Sequence, residues 1–257
     1  MLLELKNVNK NFGGVNAIID FSLTADKGDI TGIIGPNGAG KTTIFNVISG
    51  VYPASSGEVF LNDVNINRME QYKIAKLGIS RTFQNIRLFK GLTVLENVMC
   101  AFDAFSHYSV FESFFPSPRR LREEKRGREL CEHLLEVVDL IDYKNERPEN
   151  LAYGLQRRLE IARGLVCNPK VFLLDEPAAG LNPTEVGELT ELIASLSKNY
   201  GFAILLIEHR LELVMGLSHR IYVQNFGNTI AVGTPSEIRS NTEVIKAYLG
   251  EEEGCGC

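Results

Sequence analysis

Gly35-Pro36-Asn37-Gly38-Ala39-Gly40-Lys41-Thr42-Thr43 is the most informative run of the sequence. It fits Gly-x-x-x-x-Gly-Lys-[Ser/Thr] without a gap. Ile30, Ile33 and Ile34 precede it as a short β-branched run, and Ile44, Phe45, Val47 and Ile48 follow with helical spacing. Strand, glycine loop and helix in that order are the context that gives the motif its meaning. The logic is anion binding: Gly35, Asn37, Gly38, Ala39 and Gly40 offer successive backbone N–H groups to a phosphate, and the helix N-terminus adds partial positive charge. Lys41 is placed to reach the β- and γ-phosphates, and Thr42 and Thr43 to meet phosphate and a Mg²⁺ ion.

Working outward, Leu2–Val8 and Ile18–Leu23 predict two strands around a loop carrying Phe12-Gly13-Gly14. Phe12 has two readings, a ring that stacks on adenine or a hairpin aromatic. Glu58–Leu61 predicts a strand, Glu70–Leu77 a short helix, and Ile79–Phe83 a strand ending at Gln84. Between about Asn85 and Arg147 no strand is convincing. Val94–Met99 and Leu130–Leu140 are helical in pattern; between them lie Phe102, Phe105, Tyr108, Phe111, Phe114 and Phe115, then a helix dominated by basic residues from Arg119 to Arg128. That region is either a surface for a membrane-embedded partner or lipid headgroups, or an aromatic helix packed on its own subdomain followed by a solvated charged one; we favour the second. Leu155, Leu159, Ala162 and Val166 share one helical face. Val171–Leu174 and Phe202–Ile207 are fully apolar strands, and Pro183–Leu196 is a helix opened by proline. Arg220–Gln224 and Thr229–Val232 are strand-like before a helical end. Apolar strands alternating with helices predict a sheet buried on both faces, hence an α/β core.

Asp175 ends one of these strands, where a carboxylate can meet the Mg²⁺ held by Thr42, and Glu176 follows it, placed to polarise a water. Gln84 and His209 also follow strands, and strand ends gather along one rim of an open α/β sheet. Gln84 suits Mg²⁺ or the attacking water. A lone histidine in a loop is ordinarily incidental, so spacing alone does not make His209 functional.

Composition bounds the alternatives. A chain of 257 residues with 44% hydrophobic and 23% charged residues reads as an ordinary globular protein. A net charge of −5 argues against a general nucleic-acid binder. No apolar run approaches the ~18 residues of a membrane helix, and Met1–Lys6 lacks a signal-peptide core. Cys100, Cys131 and Cys167 read as small buried residues; Cys255 and Cys257 sit in a Gly-Cys-Gly-Cys tail read as exposed.

With these residues assembled, the chain resembles the nucleotide-binding subunits of ABC transporters. The likeness covers the phosphate loop, a glutamine loop at Gln84, the Asp175-Glu176 strand end, a distal loop at Ala179-Gly180-Leu181-Asn182, a switch histidine at His209, and Leu151-Ala152-Tyr153-Gly154-Leu155 in the place of the family's Leu-Ser-Gly-Gly-Gln. It implies one domain over residues 1–257: a RecA-like P-loop core at about 1–84 and 168–250 with an N-terminal antiparallel β-subdomain, a helical subdomain at about 85–167, and a tail at 251–257. It further implies that Phe12 stacks on adenine and that Thr42, Gln84 and Asp175 hold Mg²⁺. Lys41, Glu176, His209 and Gln84 then carry the hydrolysis of ATP, with Glu176 as general base. Ala152, Tyr153 and Gly154 would face a second ATPase subunit's nucleotide in a head-to-tail dimer. Two integral membrane permeases and, indirectly, an extracytoplasmic solute-binding protein complete the implied assembly, with this chain on the cytoplasmic face of the membrane and no nucleic acid.

The signature departs from the pattern: Ala152 lacks a hydroxyl, Tyr153 replaces glycine and Leu155 replaces glutamine, each lost hydrogen bond costing about 0.5–1.5 kcal/mol. Leu-Ala-Tyr-Gly ahead of Arg157-Arg158-Leu159-Glu160, the Arg81-Thr82-Phe83-Gln84 approach, Leu92–Asn97 and Val244–Gly250 resemble branched-chain amino acid importer ATPases. ATPases for urea, amides or lipopolysaccharide export share much of this pattern, and the second ATPase is either identical or nonidentical. A soluble ABC protein acting on DNA or ribosomes, and a P-loop kinase or GTPase, leave more of these residues unexplained.

Overall fold

The computed structural model describes residues 1–104 and 118–249. The aromatic positions Phe105, Tyr108, Phe111, Phe114 and Phe115 and the Cys255/Cys257 tail lie outside the described residues.

Two sheets share the work. The first is antiparallel, in the order β2-β1-β4-β5, built from β1 (Leu3–Phe12), β2 (Val15–Ala25), β4 (Ser56–Leu61) and the short β5 (Val64–Asn65). The second has six strands in the order β10-β9-β3-β8-β7-β6: β3 (Ile30–Ile34), β6 (Ile79–Arg81), β7 (Val171–Asp175), β8 (Ala203–Ile207) and β9 (Arg220–Asn225) run parallel, and β10 (Asn228–Gly233) returns antiparallel to β9. The expected α/β core and N-terminal antiparallel sheet are both present.

The central strands are apolar throughout because both faces are covered. In β7, Val171 and Leu173 point to one core, with Phe45, Ile48 and the antiparallel sheet, while Phe172 and Leu174 point to the other, with the helices. Alternation at period two thus serves two cores instead of one core and solvent. Each such fully buried side chain contributes about 1.5–3 kcal/mol.

The helices are α1 (Lys41–Ile48), α2 (Gln71–Leu77), α3 (Val94–Asp103), α4 (Pro118–Val137), α5 (Tyr153–Leu165), α6 (Pro183–Tyr200), α7 (Leu211–Leu217), α8 (Pro235–Arg239) and α9 (Thr242–Leu249). The basic stretch and the Leu130 segment, expected as separate helices, form one continuous α4. Gly127 of α4 makes room for Phe102 of α3, whose ring stands 2.3 Å from where a Cβ would be; the one described member of the aromatic run beyond α3's start is therefore packed within the chain. Asn182 caps α6 in a reciprocal box with Glu185, and Pro183 follows at the first turn as expected.

Two expectations are corrected. Cys131 is buried, its thiol pushed up to about 12 by desolvation, but Cys100 is exposed because it faces outward on α3. The strand expected to run to Phe83 stops at Arg81, because side chains of α5 take over the backbone groups of Phe83, as described below.

Gly32 of β3 lies directly under α7: a Cβ there would stand 2.6 Å from Val214 Cγ1 and 2.8 Å from Ser218 Oγ. Gly32→Ala should therefore cost about 1–3 kcal/mol by overpacking, read as a lower urea midpoint at unchanged slope. An unchanged midpoint would mean that α7 is not seated on this strand.

Candidate functional site

Helix α1 starts without a side-chain cap. Gly40 sits at its N-cap with φ 100°, whereas α3, α6 and α8 all begin with capping boxes. Its first N–H groups are thus left to an anion. The loop leading into it is pressed against its neighbours. A Cβ on Gly35 would stand 2.0 Å from the Gln224 carbonyl oxygen, and one on Gly40 2.2 Å from that of Ala17. Only glycine fits either place.

In front of this loop opens a cavity of about 410 Å³ lined by Asn37, Gly38, Ala39, Gly40, Lys41, Thr42 and Thr43. Gln84, Glu176 and His209 line the same cavity, and Val15, Asn16, Ala17 and Phe226 also border it. The Lys41 ammonium is drawn across the loop to the carbonyls of Gly35 at 2.6 Å and Pro36 at 2.8 Å.

Glu176 is gripped from both sides. Gln84 Nε2 donates to its Oε2 at 2.7 Å, and His209 Nε2 lies 2.7 Å from its Oε1. Its backbone is left-handed at φ 48°, a strained setting for a non-glycine residue that aims the carboxylate into the cavity. The grip follows from the strand order. β7 lies between β6 and β8, so the residue after β7 is flanked by residues that follow the other two. A carboxylate has about four lone-pair positions, and these two partners leave room for a water.

Asp175 sits one residue back and is turned from the cavity. Its Oδ2 accepts from Arg81 at 2.7 Å, both side chains nearly buried, and Arg81 also donates to Asn46 Oδ1 at 2.7 Å and Ser49 Oγ at 3.1 Å. Burial raises the Asp175 carboxyl above its ordinary value while Arg81 draws it back.

Two further clamps were not legible in the sequence. Arg157, fully buried, donates to the carbonyls of Phe83 at 2.9 Å and Gln84 at 3.0 Å and pairs with Glu160 at 2.7 Å, while Glu160 accepts from the Phe83 N–H at 3.1 Å. Burial raises the Glu160 carboxyl, opposed by Arg157. One turn of α5 thereby holds the Gln84 segment. On the other side, buried Glu208 accepts from the N–H groups of Ala178 at 2.6 Å and His209 at 3.1 Å, and Arg210 donates to the Leu181 carbonyl at 2.7 Å. The distal loop is thus tied to the histidine segment at two points.

Among the residues expected at the site, the cavity gathers Asn37 to Thr43, Gln84, Glu176 and His209. Gly35 lies behind the loop. Phe12 does not line the cavity; its ring meets Tyr52 edge-on at 5.2 Å, with Lys10 Nζ 4.9 Å above it. Ala152, Tyr153 and Gly154 open α5 elsewhere, again without a side-chain cap; Tyr153 packs on Gly180 and its hydroxyl accepts from Arg157 at 3.4 Å. Among the described residues no cluster of three or more His, Cys, Asp or Glu side chains could hold a metal. Thr42 and Gln84 on the cavity wall do supply hard oxygen donors, which suit Mg²⁺ completed by phosphate oxygens and water.

The profile of the ABC transporter family matches residues 18–179, which span the loop, Gln84 and Glu176. The chain belongs to the ABC transporter family. It is an ABC-type ATPase, and its C-terminal segment 228–254 also matches the profile described as branched-chain amino acid ATP-binding cassette transporter. This ATPase is 45% identical to the high-affinity branched-chain amino acid transport ATP-binding protein LivG of Salmonella typhimurium, over 97% of this chain and 98% of that protein. It is 44% identical to BraF of Pseudomonas aeruginosa, described in the same terms, with the same coverage. Among solved structures, a nucleotide-free ATP-binding cassette from an ABC transporter superposes with a TM-score of 0.83 at 33% identity, over 96% of this chain and 98% of the other.

The Arg157–Glu160 pair gives a direct test. Arg157→Met leaves Glu160 buried and unpaired and should cost about 3–5 kcal/mol in urea unfolding, while Arg157→Met with Glu160→Met should recover part of that loss. Equal losses in both variants would place the cost in packing and not in charge.

Proposed function

We propose that this ABC-type ATPase is the ATP-hydrolysing subunit of a branched-chain amino acid importer. Hydrolysis rests on one observation, the Glu176 carboxylate fixed between Gln84 and His209 on the wall of the phosphate-loop cavity. In this reading Lys41 leaves the loop carbonyls for the β- and γ-phosphates, and the uncapped N–H groups of α1 take the remaining oxygens. Glu176 holds a water on its unused lone pairs and accepts its proton as the water attacks the γ-phosphate. His209 and Gln84 keep the carboxylate aimed and register whether the γ-phosphate is present. Thr42 and Gln84 would hold Mg²⁺, with Asp175 acting through water behind its ion pair with Arg81; the ion's part is to offset phosphate charge.

Residues 1–84 and 168–250 form the nucleotide core in this reading, residues 85–167 the helical subdomain, and 251–257 a tail. Ala152, Tyr153 and Gly154, at the uncapped start of α5, present N–H groups to the nucleotide of a second ATPase subunit in a head-to-tail pair. A groove of about 480 Å³ lined by Phe83, Arg87, Phe89, Ala101, Arg163 and Cys167 takes a cytoplasmic segment of a permease. Two such permeases, and a solute-binding protein beyond the membrane, complete the importer, with this chain docked on the cytoplasmic face. No described helix is long and apolar enough to cross a membrane, in keeping with a peripheral subunit.

The solute assignment is supported by the near full-length likeness to LivG and BraF and by the match at 228–254. The lipopolysaccharide export ATP-binding protein LptB of Haemophilus influenzae is 32% identical over 98% of both chains, a weaker likeness. In a strain lacking this chain, the wild-type gene should restore ATP-dependent uptake of labelled leucine, isoleucine and valine. Restored urea uptake without leucine uptake would overturn the solute assignment. Glu176→Gln should bind ATP like the wild type yet lose about 10²–10⁴-fold in phosphate release; unchanged turnover would remove Glu176 from its role.

A further inference from the structure

Arg81 closes β6 three residues before Gln84 and stands outside the trio of Gln84, Glu176 and His209. Its side chain is only 8% exposed, and that of Asp175 only 3%. A buried guanidinium is costly unless it is paired and hydrogen-bonded, and Arg81 finds its partners on two different elements. Nη2 donates to Asp175 Oδ2 at 2.7 Å, at the end of β7. Nη1 donates to Asn46 Oδ1 at 2.7 Å and to Ser49 Oγ at 3.1 Å, on α1 and its C-cap. The guanidinium carbon also lies 5.6 Å from the centre of the Phe45 ring and 5.2 Å from that of Phe83. Packing as well as hydrogen bonding therefore holds the group in place.

The spacing of its partners on α1 gives this brace a direction. Thr42, Asn46 and Ser49 stand at i, i+4 and i+7, which is one stripe of the helix. Arg81 thus ties the Asp175 carboxylate to the same stripe that brings Thr42 to the cavity wall. The separation of these two oxygen donors is set by a planar, pre-organised fork held at both prongs. Mg²⁺ demands near-ideal octahedral geometry, so it tolerates little error in that separation.

We propose that Arg81 is a positioning residue for the divalent cation: by bracing Asp175 against Asn46 and Ser49, it sets how tightly Mg²⁺ is held beside the bound nucleotide. This rests on the reading of Thr42 and Asp175 as partners of the ion. Arg81 itself touches neither ion nor nucleotide.

The test separates metal-dependent from metal-independent binding. Calorimetry with the non-hydrolysable β,γ-imido analogue of ATP is run in EDTA and at stepped Mg²⁺ concentrations. Two variants are compared with the wild type. Asn46→Ala with Ser49→Ala cuts the brace yet leaves the buried ion pair, and Arg81→Lys keeps the charge but loses the fork. Both should bind the analogue in EDTA like the wild type, while the Mg²⁺ concentration that half-restores tight binding rises about 10- to 100-fold, the usual effect of removing a partner behind a metal ligand. An unchanged Mg²⁺ requirement in both variants overturns the proposal. So does an equal loss of binding with and without Mg²⁺, which would make Arg81 a support of the fold alone. A wild-type chain whose binding of the analogue ignores Mg²⁺ would overturn the cation reading of Thr42 and Asp175, and one that does not bind the analogue at all would overturn the nucleotide reading; the inference falls with either.

Discussion

The grip on the Glu176 carboxylate is the constraint on which the rest of the site depends. Three parallel strands deliver it. β7 brings the carboxylate, β6 leads to the amide of Gln84 on one side, and β8 leads to the imidazole of His209 on the other, each at 2.7 Å. Parallel pairing lines up their C-terminal ends, and burial of both sheet faces fixes their register, since a slip of one residue would exchange Phe172 and Leu174 with Val171 and Leu173 between two differently shaped cores. Hydrophobic packing far from the cavity therefore sets polar geometry within it.

Each partner of Glu176 is in turn tied to a different part of the chain. Gln84 belongs to a segment whose carbonyls are held by Arg157 and whose neighbouring N–H is held by Glu160, both from the helix that begins at Ala152. His209 is flanked by Glu208 and Arg210, which hold the loop from Ala178 to Leu181. A displacement of α5 or of the distal loop would be felt at the carboxylate through charge-assisted bonds, roughly twice as strong as neutral ones. We propose that coupling in this ABC ATPase takes this physical form, with two clamps converging on the Glu176 carboxylate.

The glycine loop, the apolar strands and the acidic pair were legible in sequence because each is local: a motif and a periodicity are enough to place them. Gln84, Glu176 and His209 were legible as a set only because strand ends share a rim. Arg157, Glu160 and Glu208 were not, since charged residues in a helix or beyond a strand ordinarily face solvent, and their burial is decided by what packs over them. The place of Phe226 on the cavity border escaped for the opposite reason. Asn225-Phe226-Gly227-Asn228 reads as a turn between short strands, and nothing local says that this turn abuts the phosphate loop. Phe12 was singled out by position and resemblance; its ring lies against Tyr52, distant in sequence.

We propose that Gln84 and His209 act on turnover through one carboxylate. A double-mutant cycle in steady-state ATP hydrolysis, with Gln84→Ala, His209→Ala and the pair, tests it most directly. The shared grip predicts strong coupling, so that the double variant loses little more than the worse single variant. Losses that simply multiply would mean that the two residues act independently, and that the grip on Glu176 is not what turnover depends on.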